Sequence, residues 1–282
     1  MAQTDSQVGE RPAARDDEGS AGLWMFGALA QSDDESSRGS LLSFGYGVGR
    51  STWLSAAFTN STSPAQRADL STDALVLALD HRFENFGFGF EFEDWGESGA
   101  VESQDFGASL TWYGERIEVL LGMERRAIDI TFALTILDQV FTRKVAVDAD
   151  GLSLGLRMNA GDRVRLFYDF ENFGYSRDLT VLPRIQNLNR LNGSALTLAN
   201  SFIDDRHTLG ADIEFGEKLL TLSLSEDSSA VDGADLTSIA AALVVPVGLR
   251  VDLELSLGRS DSGTLASGTW LGVGVLVYGG VR

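Results

Sequence analysis

Phenylalanines occupy positions 86, 88, 90 and 92, and Gly87, Gly89, Glu91 and Glu93 fill the gaps between them. Strict alternation of this kind puts one residue class on each side of an extended strand, because successive side chains point to opposite faces. The same period returns in weaker form along the chain. Leu42, Phe44, Tyr46 and Val48 share one side, and Leu75, Leu77 and Leu79 oppose Asp80 and Arg82. Phe106, Leu110 and Trp112 oppose Asp105, Ser109 and Thr111, while Leu249, Val251, Leu253, Leu255 and Leu257 oppose Arg250, Asp252, Glu254 and Ser256. Equivalent segments lie at 116–124, 151–159 and 163–171. Helix signals are scarce, since 31 glycines are scattered through the apolar segments.

The connections alternate in length. Short Gly, Asn or Pro turns fall at 48–52, 82–87, 113–116, 159–163, 215–218 and 246–249. Longer polar or mixed loops fall at 31–39, 60–72, 96–103, 129–149, 176–205, 226–235 and 259–267. The 129–149 segment alternates at both ends and reads as extended hairpin strands. This order predicts an all-β chain of about fourteen antiparallel strands, arranged up and down. Strands of roughly 9–11 residues cross a hydrocarbon core of about 30 Å when tilted. Closure into a transmembrane β-barrel satisfies every backbone group, which lipid requires. An even strand number puts both termini on the short-turn side, normally the periplasm. The alternative is a soluble sandwich or barrel with an apolar interior. The small residues of the polar faces and the Phe-Gly-Phe-Gly run speak against it.

Composition narrows the picture. A net charge of −19 speaks against a nucleic-acid partner, which needs a basic footprint. The absence of cysteine leans toward the bacterial envelope and removes thiolate zinc sites, leaving His81 and His207 as the imidazoles. No run of about 18 apolar residues is present, so no transmembrane helix is expected. Residues 1–20 are polar and lack the apolar region of a signal peptide. They read either as the start of a mature secreted chain with an added Met or as an ordinary cytoplasmic start. The expected organisation is a disordered periplasmic tether over 1–20 and a barrel over 21–282.

By this pattern the chain resembles Gram-negative outer-membrane β-barrel proteins as a class, and by strand count the fourteen-stranded monomeric porins and uptake channels. The resemblance spans 21–278 and carries no diagnostic motif. It implies an outer-membrane location and a last strand that closes on the first. Gly272, Val275, Val277 and Tyr278 fit the closing strand, whereas the Gly-Gly-Val-Arg end departs from the usual terminal aromatic.

If the apolar parity faces lipid, the other parity lines a lumen. Basic residues crowd the short-turn end: Arg50, Arg82, Arg116, Arg157, Arg163, Arg165, Lys218 and Arg250. Glu91, Glu93, Asp105, Glu118, Glu124, Asp169, Glu171, Asp252 and Glu254 lie further along, and Asp212 and Glu214 sit near the 215–218 turn. Opposed charges across a water-filled pore select ions and small polar solutes. The plainer reading is that these groups pair across strands and merely make a polar interior. Fourteen strands are too wide for side chains alone to close, so a passive channel is the expected function. Residues 176–205 are unusually apolar for a loop and either fold into the mouth, with Arg184 and Arg190 at a constriction, or extend two strands.

Trp24, Phe83, Phe86, Trp112, Phe215 and Tyr278 read as rim aromatics, although Trp53, Trp95, Trp270 and Tyr278 fall on the lumen parity. Expected partners are the lipid bilayer, lipopolysaccharide and small polar solutes or ions. The alternative function is a barrel module of an export or assembly complex that works with a periplasmic partner. An outer-membrane hydrolase comes third. No GxSxG, P-loop or HExxH motif appears, both histidines lie on the lipid parity, and no cofactor or metal is expected.

Overall fold

The computed structural model describes residues 22–34, 36–63, 70–97, 101–136, 139–179, 202–231, 233–262 and 265–280. They form β1 (Trp24–Asp33), β2 (Arg38–Val48), β3 (Thr52–Ser63), β4 (Leu70–Arg82), β5 (Phe86–Glu97), β6 (Val101–Tyr113) and β7 (Ile117–Ile136). The second half holds β8 (Gln139–Asn159), β9 (Val164–Tyr175), β10 (Ile203–Phe215), β11 (Lys218–Ser229), β12 (Asp235–Pro246), β13 (Val251–Ser262) and β14 (Leu265–Gly279). Each strand pairs antiparallel with its neighbours in sequence, and β14 pairs with β1 from Trp24↔Gly279 to Asp33↔Trp270. The sheet is a closed fourteen-stranded barrel, so no edge is left open. Both ends of the ladder lie beside the six short turns, where Gly22 N–H donates to Gly47 O.

The apolar parity faces outward. Phe90 is 55% exposed, Phe106 57% and Leu255 53%. A soluble protein does not expose a continuous apolar surface of this extent, and the soluble alternative falls on that ground. From Val251 to Leu257 the strand climbs about 20 Å at ~3.3 Å per residue. A tilt of roughly 40° reduces this to a height of about 15 Å, within the ~25 Å apolar band of membrane barrels. At the short-turn rim Phe83, Phe86, Trp112 and Phe215 are exposed on the outer side, as membrane-interface anchors are.

The far end differs from the expectation of long polar loops. Most of these segments continue the ladder: β1 and β2 run to Asp33 and Arg38, β5 and β6 to Glu97 and Val101, and β13 and β14 to Ser262 and Leu265. The β7–β8 hairpin, expected from the alternation at both ends of 129–149, pairs from Ile117↔Met158 to Ile136↔Gln139. Polarity misled because the charges there sit on outward strand positions above the apolar belt. Asp94, Arg125, Asp150, Asn172, His207, Glu226 and Arg259 are exposed one step beyond the last apolar side chains. On β6–β8 the inward positions beyond that level turn apolar. Val101, Ile128, Ile130, Val145 and Val147 bury against Leu179, Phe202 and Val231. In this sector the wall inverts its polarity, whereas on β10 and β11 Arg206 and Asp227 stay buried and charged on the inward side.

Candidate channel lumen

In the short-turn half of the barrel some inward carboxylates reach solvent. Asp80, Glu91 and Glu214 occupy inward strand positions and are nonetheless exposed. Arg165 Nη2 donates to Glu118 Oε2 at 2.6 Å, and Arg157 Nη1 to Asp169 Oδ1 at 2.6 Å. Thr221 Oγ1 donates to Asp212 Oδ1 at 2.7 Å and Tyr278 Oη to Asp252 Oδ1 at 3.1 Å. The Arg82 guanidinium lies 4.2 Å from the centre of the Tyr113 ring. Such stacking fixes a cation on the wall and leaves its other face to solvent. Glu93 and Glu254 occupy inward positions and are half-buried. Arg116, Arg163 and Arg250 are not wall residues; they stand in the turns at the rim.

Higher up, two arginines that the sequence reading passed over organise the wall. Arg126 Nε donates to Glu124 Oε1 at 2.5 Å and lies 3.6 Å from Asp105 Oδ2. Its guanidinium stacks 3.8 Å from the centre of Phe173. Asp105 is 4% exposed and accepts from Ser103 Oγ at 2.5 Å and Trp95 Nε1 at 3.1 Å. Arg206 Nε donates to Asp227 Oδ1 at 3.1 Å, and its Nη1 lies 3.4 Å from Glu171 Oε2. Ser225 Oγ completes Asp227 at 2.7 Å. Asp105, Glu124 and Glu171 are thus gathered around buried cations, as buried charges require. Alternation carried two residues past Glu124, and backward from Leu209, reaches both arginines. Arg125 and Arg126 fall between the 116–124 and 129–149 segments, and Arg206 falls just past the 176–205 segment.

Flat aromatics line the same wall over glycines. A Cβ on Gly151 would run into the Phe173 ring, and one on Gly258 into the Trp270 indole. Trp53 and Trp270 are buried on the inner side, and Trp95 also faces inward. These three are wall fillers rather than rim anchors.

The apolar cluster of Val101, Ile128, Ile130, Val145, Val147, Leu179, Phe202 and Val231 covers the long-loop end over β6–β8. Tyr175 packs against it and donates to Ile203 O at 2.8 Å. Burial pushes this hydroxyl, above the apolar belt, beyond its ordinary range, so it remains a donor. Arg184 and Arg190 lie outside the described residues. In the described residues the β6–β8 side of this mouth is lined by apolar side chains.

Neither histidine faces the lumen. His81 Nδ1 bonds Thr52 Oγ1 at 2.8 Å and its ring packs on Phe83 and Phe88. His207 bonds Tyr168 Oη at 2.9 Å through Nδ1, and its Nε2 lies 3.6 Å from Asp205 Oδ1. Among the described residues no group of three or more His, Asp or Glu is placed to hold a metal ion.

This is the architecture of bacterial outer-membrane barrels. No family model and no curated protein matches the chain in sequence. Solved structures match in shape. The CymD monoaromatic hydrocarbon channel superimposes with a TM-score of 0.57 at 9% identity, over 93% of this chain and 89% of its own. Outer-membrane expressed OmpT of Vibrio cholerae gives 0.54 at 9%, over 91% and 97%. A FadL homologue of Pseudomonas aeruginosa gives 0.54 at 8%, over 90% and 89%.

Proposed function

We propose that the protein is an outer-membrane channel for passive diffusion of ions and small polar solutes, with a preference for cations. One observation carries this reading: Asp80, Glu91 and Glu214 point inward in a closed barrel and still meet solvent. A water-filled vestibule with surplus carboxylate follows. The inward arginines Arg126, Arg157, Arg165 and Arg206 are each tied to carboxylates of their own. Arg82 stacks on Tyr113. Among the described residues the inward carboxylates outnumber these five arginines, so the field inside is negative and raises the local cation concentration. The similar shape of the CymD monoaromatic hydrocarbon channel supports the same class.

Planar-bilayer recording across a KCl gradient tests it. The expected reversal potential has the cation sign and moves toward zero in a Glu91→Gln, Glu93→Gln, Glu254→Gln variant. A silent barrel, or an anion-selective one, overturns the proposal. A second reading, uptake of a small apolar or aromatic solute, is favoured by the apolar cluster at the mouth. One of the similar structures is a monoaromatic hydrocarbon channel. Binding of toluene to the purified barrel that is lost in Val147→Asp, with no ionic current in bilayers, would favour this second reading.

A further inference from the structure

Among the described residues the charged side chains that are buried are Glu97, Asp105, Arg206 and Asp227. Arg206 meets Asp227 and Glu171, and Asp105 meets Arg126, Ser103 and Trp95. Glu97 stands apart. It closes β5 above the apolar belt, on the inward parity of Glu93 and Trp95, and is only 7% exposed. No hydrogen bond or ion pair reaches it from the described residues. Burial alone pushes its carboxyl above the ordinary range, with no donor or cation acting the other way. A buried carboxylate without a counter-charge is costly to a fold. Its position asks for a ligand that supplies the missing charge.

Register fixes what that ligand meets. One level across the inner wall runs through Thr72, Glu97, Val101, Ile130 and Val145, each directly opposite the next. Side chains so paired stand about 5 Å apart at Cβ. Glu97 therefore borders the apolar cluster of the long-loop mouth, and Trp95, two residues down the same face, packs against that cluster. A metal ion needs several oxygen ligands, and no group of three or more His, Asp or Glu is placed for one among the described residues. A hydrated alkali ion brings no apolar surface to the side chains it would disturb. An ammonium carried on an apolar body answers both needs. We infer that Glu97 and the edge of the cluster form a docking site for primary amines with an apolar body. The ammonium donates to the Glu97 carboxylate, and the body takes over contacts made by Val101 and Ile130. This names a solute class for the cation-preferring channel and rests on that reading for transport, while the binding itself is measured without current.

Equilibrium dialysis of the full-length barrel in detergent, against matching empty micelles, tests the inference. The probes are benzylamine and its neutral counterpart, benzyl alcohol. A charge-assisted hydrogen bond to a desolvated carboxylate predicts about tenfold greater retention of benzylamine. Glu97→Gln abolishes that preference, and Glu97→Asp, which keeps the charge on a shorter arm, retains part of it. Glu102→Gln, outward on β6 and facing Lys144, leaves it intact. The urea midpoint of Glu97→Gln is no lower than that of the wild type, because the variant removes an uncompensated charge. Equal retention of the two probes by the wild type overturns the inference, as does a preference that survives in Glu97→Gln. A lowered midpoint in Glu97→Gln overturns it as well, since the carboxylate would then have a partner within the fold. A barrel that conducts with the cation sign and shows equal retention refutes this site alone, and a silent barrel that keeps the preference refutes only the channel.

Discussion

Replacing Arg126 with Met tests how the upper lumen is held together. Arg126 sits between Glu124 and Asp105 and stacks on Phe173. Its side chain is 12% exposed and that of Asp105 only 5%, whereas Glu124 is 32% exposed. Loss of the cation leaves Asp105 as a buried carboxylate with no compensating charge, a change that costs about 3–5 kcal/mol. Ser103 and Trp95 still donate to Asp105, and Glu124 can rehydrate, which pulls the cost to the lower end. Met keeps the volume and a sulfur contact to the ring, so little is added for the lost stack. The expected loss is about 3 kcal/mol, equivalent to a urea midpoint lower by about 1 M at an m-value of ~3 kcal/mol/M. Unfolding of the barrel in micelles, followed by the fluorescence of Trp95 and its fellow tryptophans, measures it. The Arg126→Met, Asp105→Asn double variant removes the stranded charge and recovers about 2 kcal/mol of that loss, the coupling that a double-mutant cycle isolates. An unchanged midpoint in the single variant refutes the reasoning. So does a double variant no more stable than the single one.

Leu255→Arg places a cation on the lipid face near the middle of the belt and should destabilise the inserted barrel by about 2–4 kcal/mol. Glu254→Arg, one residue before and facing inward at a half-buried position, should leave liposome insertion near wild type. Gly258→Leu drives a side chain into the Trp270 indole and should cost about 1–3 kcal/mol through overpacking, read from the urea midpoint. Val147→Asp puts a carboxylate into the apolar cluster, where the native side chain is 1% exposed. Bilayer recording should find larger or more frequent conducting events, and a current indistinguishable from wild type counts against a seal at this sector.

The barrel was legible because its signal is redundant. Phe86 to Phe92 alone suggests one strand facing something apolar, but the period repeats, and the short turns all fall at one end. Closure of β14 on β1 follows from strand number and lipid exposure together. What the sequence hid lies above the belt. Arg125 and Asp150 fall just outside the alternating segments 116–124 and 151–159 because lipid no longer selects apolar side chains there, yet the ladder continues through both. Arg126 and Arg206 were missed for that reason and not for lack of periodicity. The pairing of Arg157 with Asp169 is a contact between neighbouring strands, readable once register is known. Glu118 with Arg165 spans an intervening strand and depends on side-chain reach across the lumen face. Composition says only that such charges share a face, not which of them meet.

The inverted polarity of β7 and β8 has an energetic cause with a consequence for transport. Beyond Arg125 and Asp150 this hairpin has no lipid to bury a face against, and an isolated two-stranded ribbon is marginal in water. Ile128, Ile130, Val145 and Val147 supply the missing burial by packing inward on Leu179, Phe202 and Val231. Each fully buried aliphatic or Phe side chain contributes about 1.5–3 kcal/mol. Lifting Leu179, Phe202 and Val231 away together would therefore cost about 5–9 kcal/mol if nothing replaced them. An equilibrium opening of that cost is populated less than about once in a thousand molecules. A hydrated ion offers the exposed apolar side chains nothing in return, so ionic current through this barrel must run outside the β6–β8 sector. A solute that carries apolar surface can replace the lost contacts as it enters, and the same cluster is then a selective door for it. The response of Val147→Asp separates these cases: an added carboxylate eases ion passage through this sector and hinders an apolar solute, so the two currents of traffic should move in opposite directions.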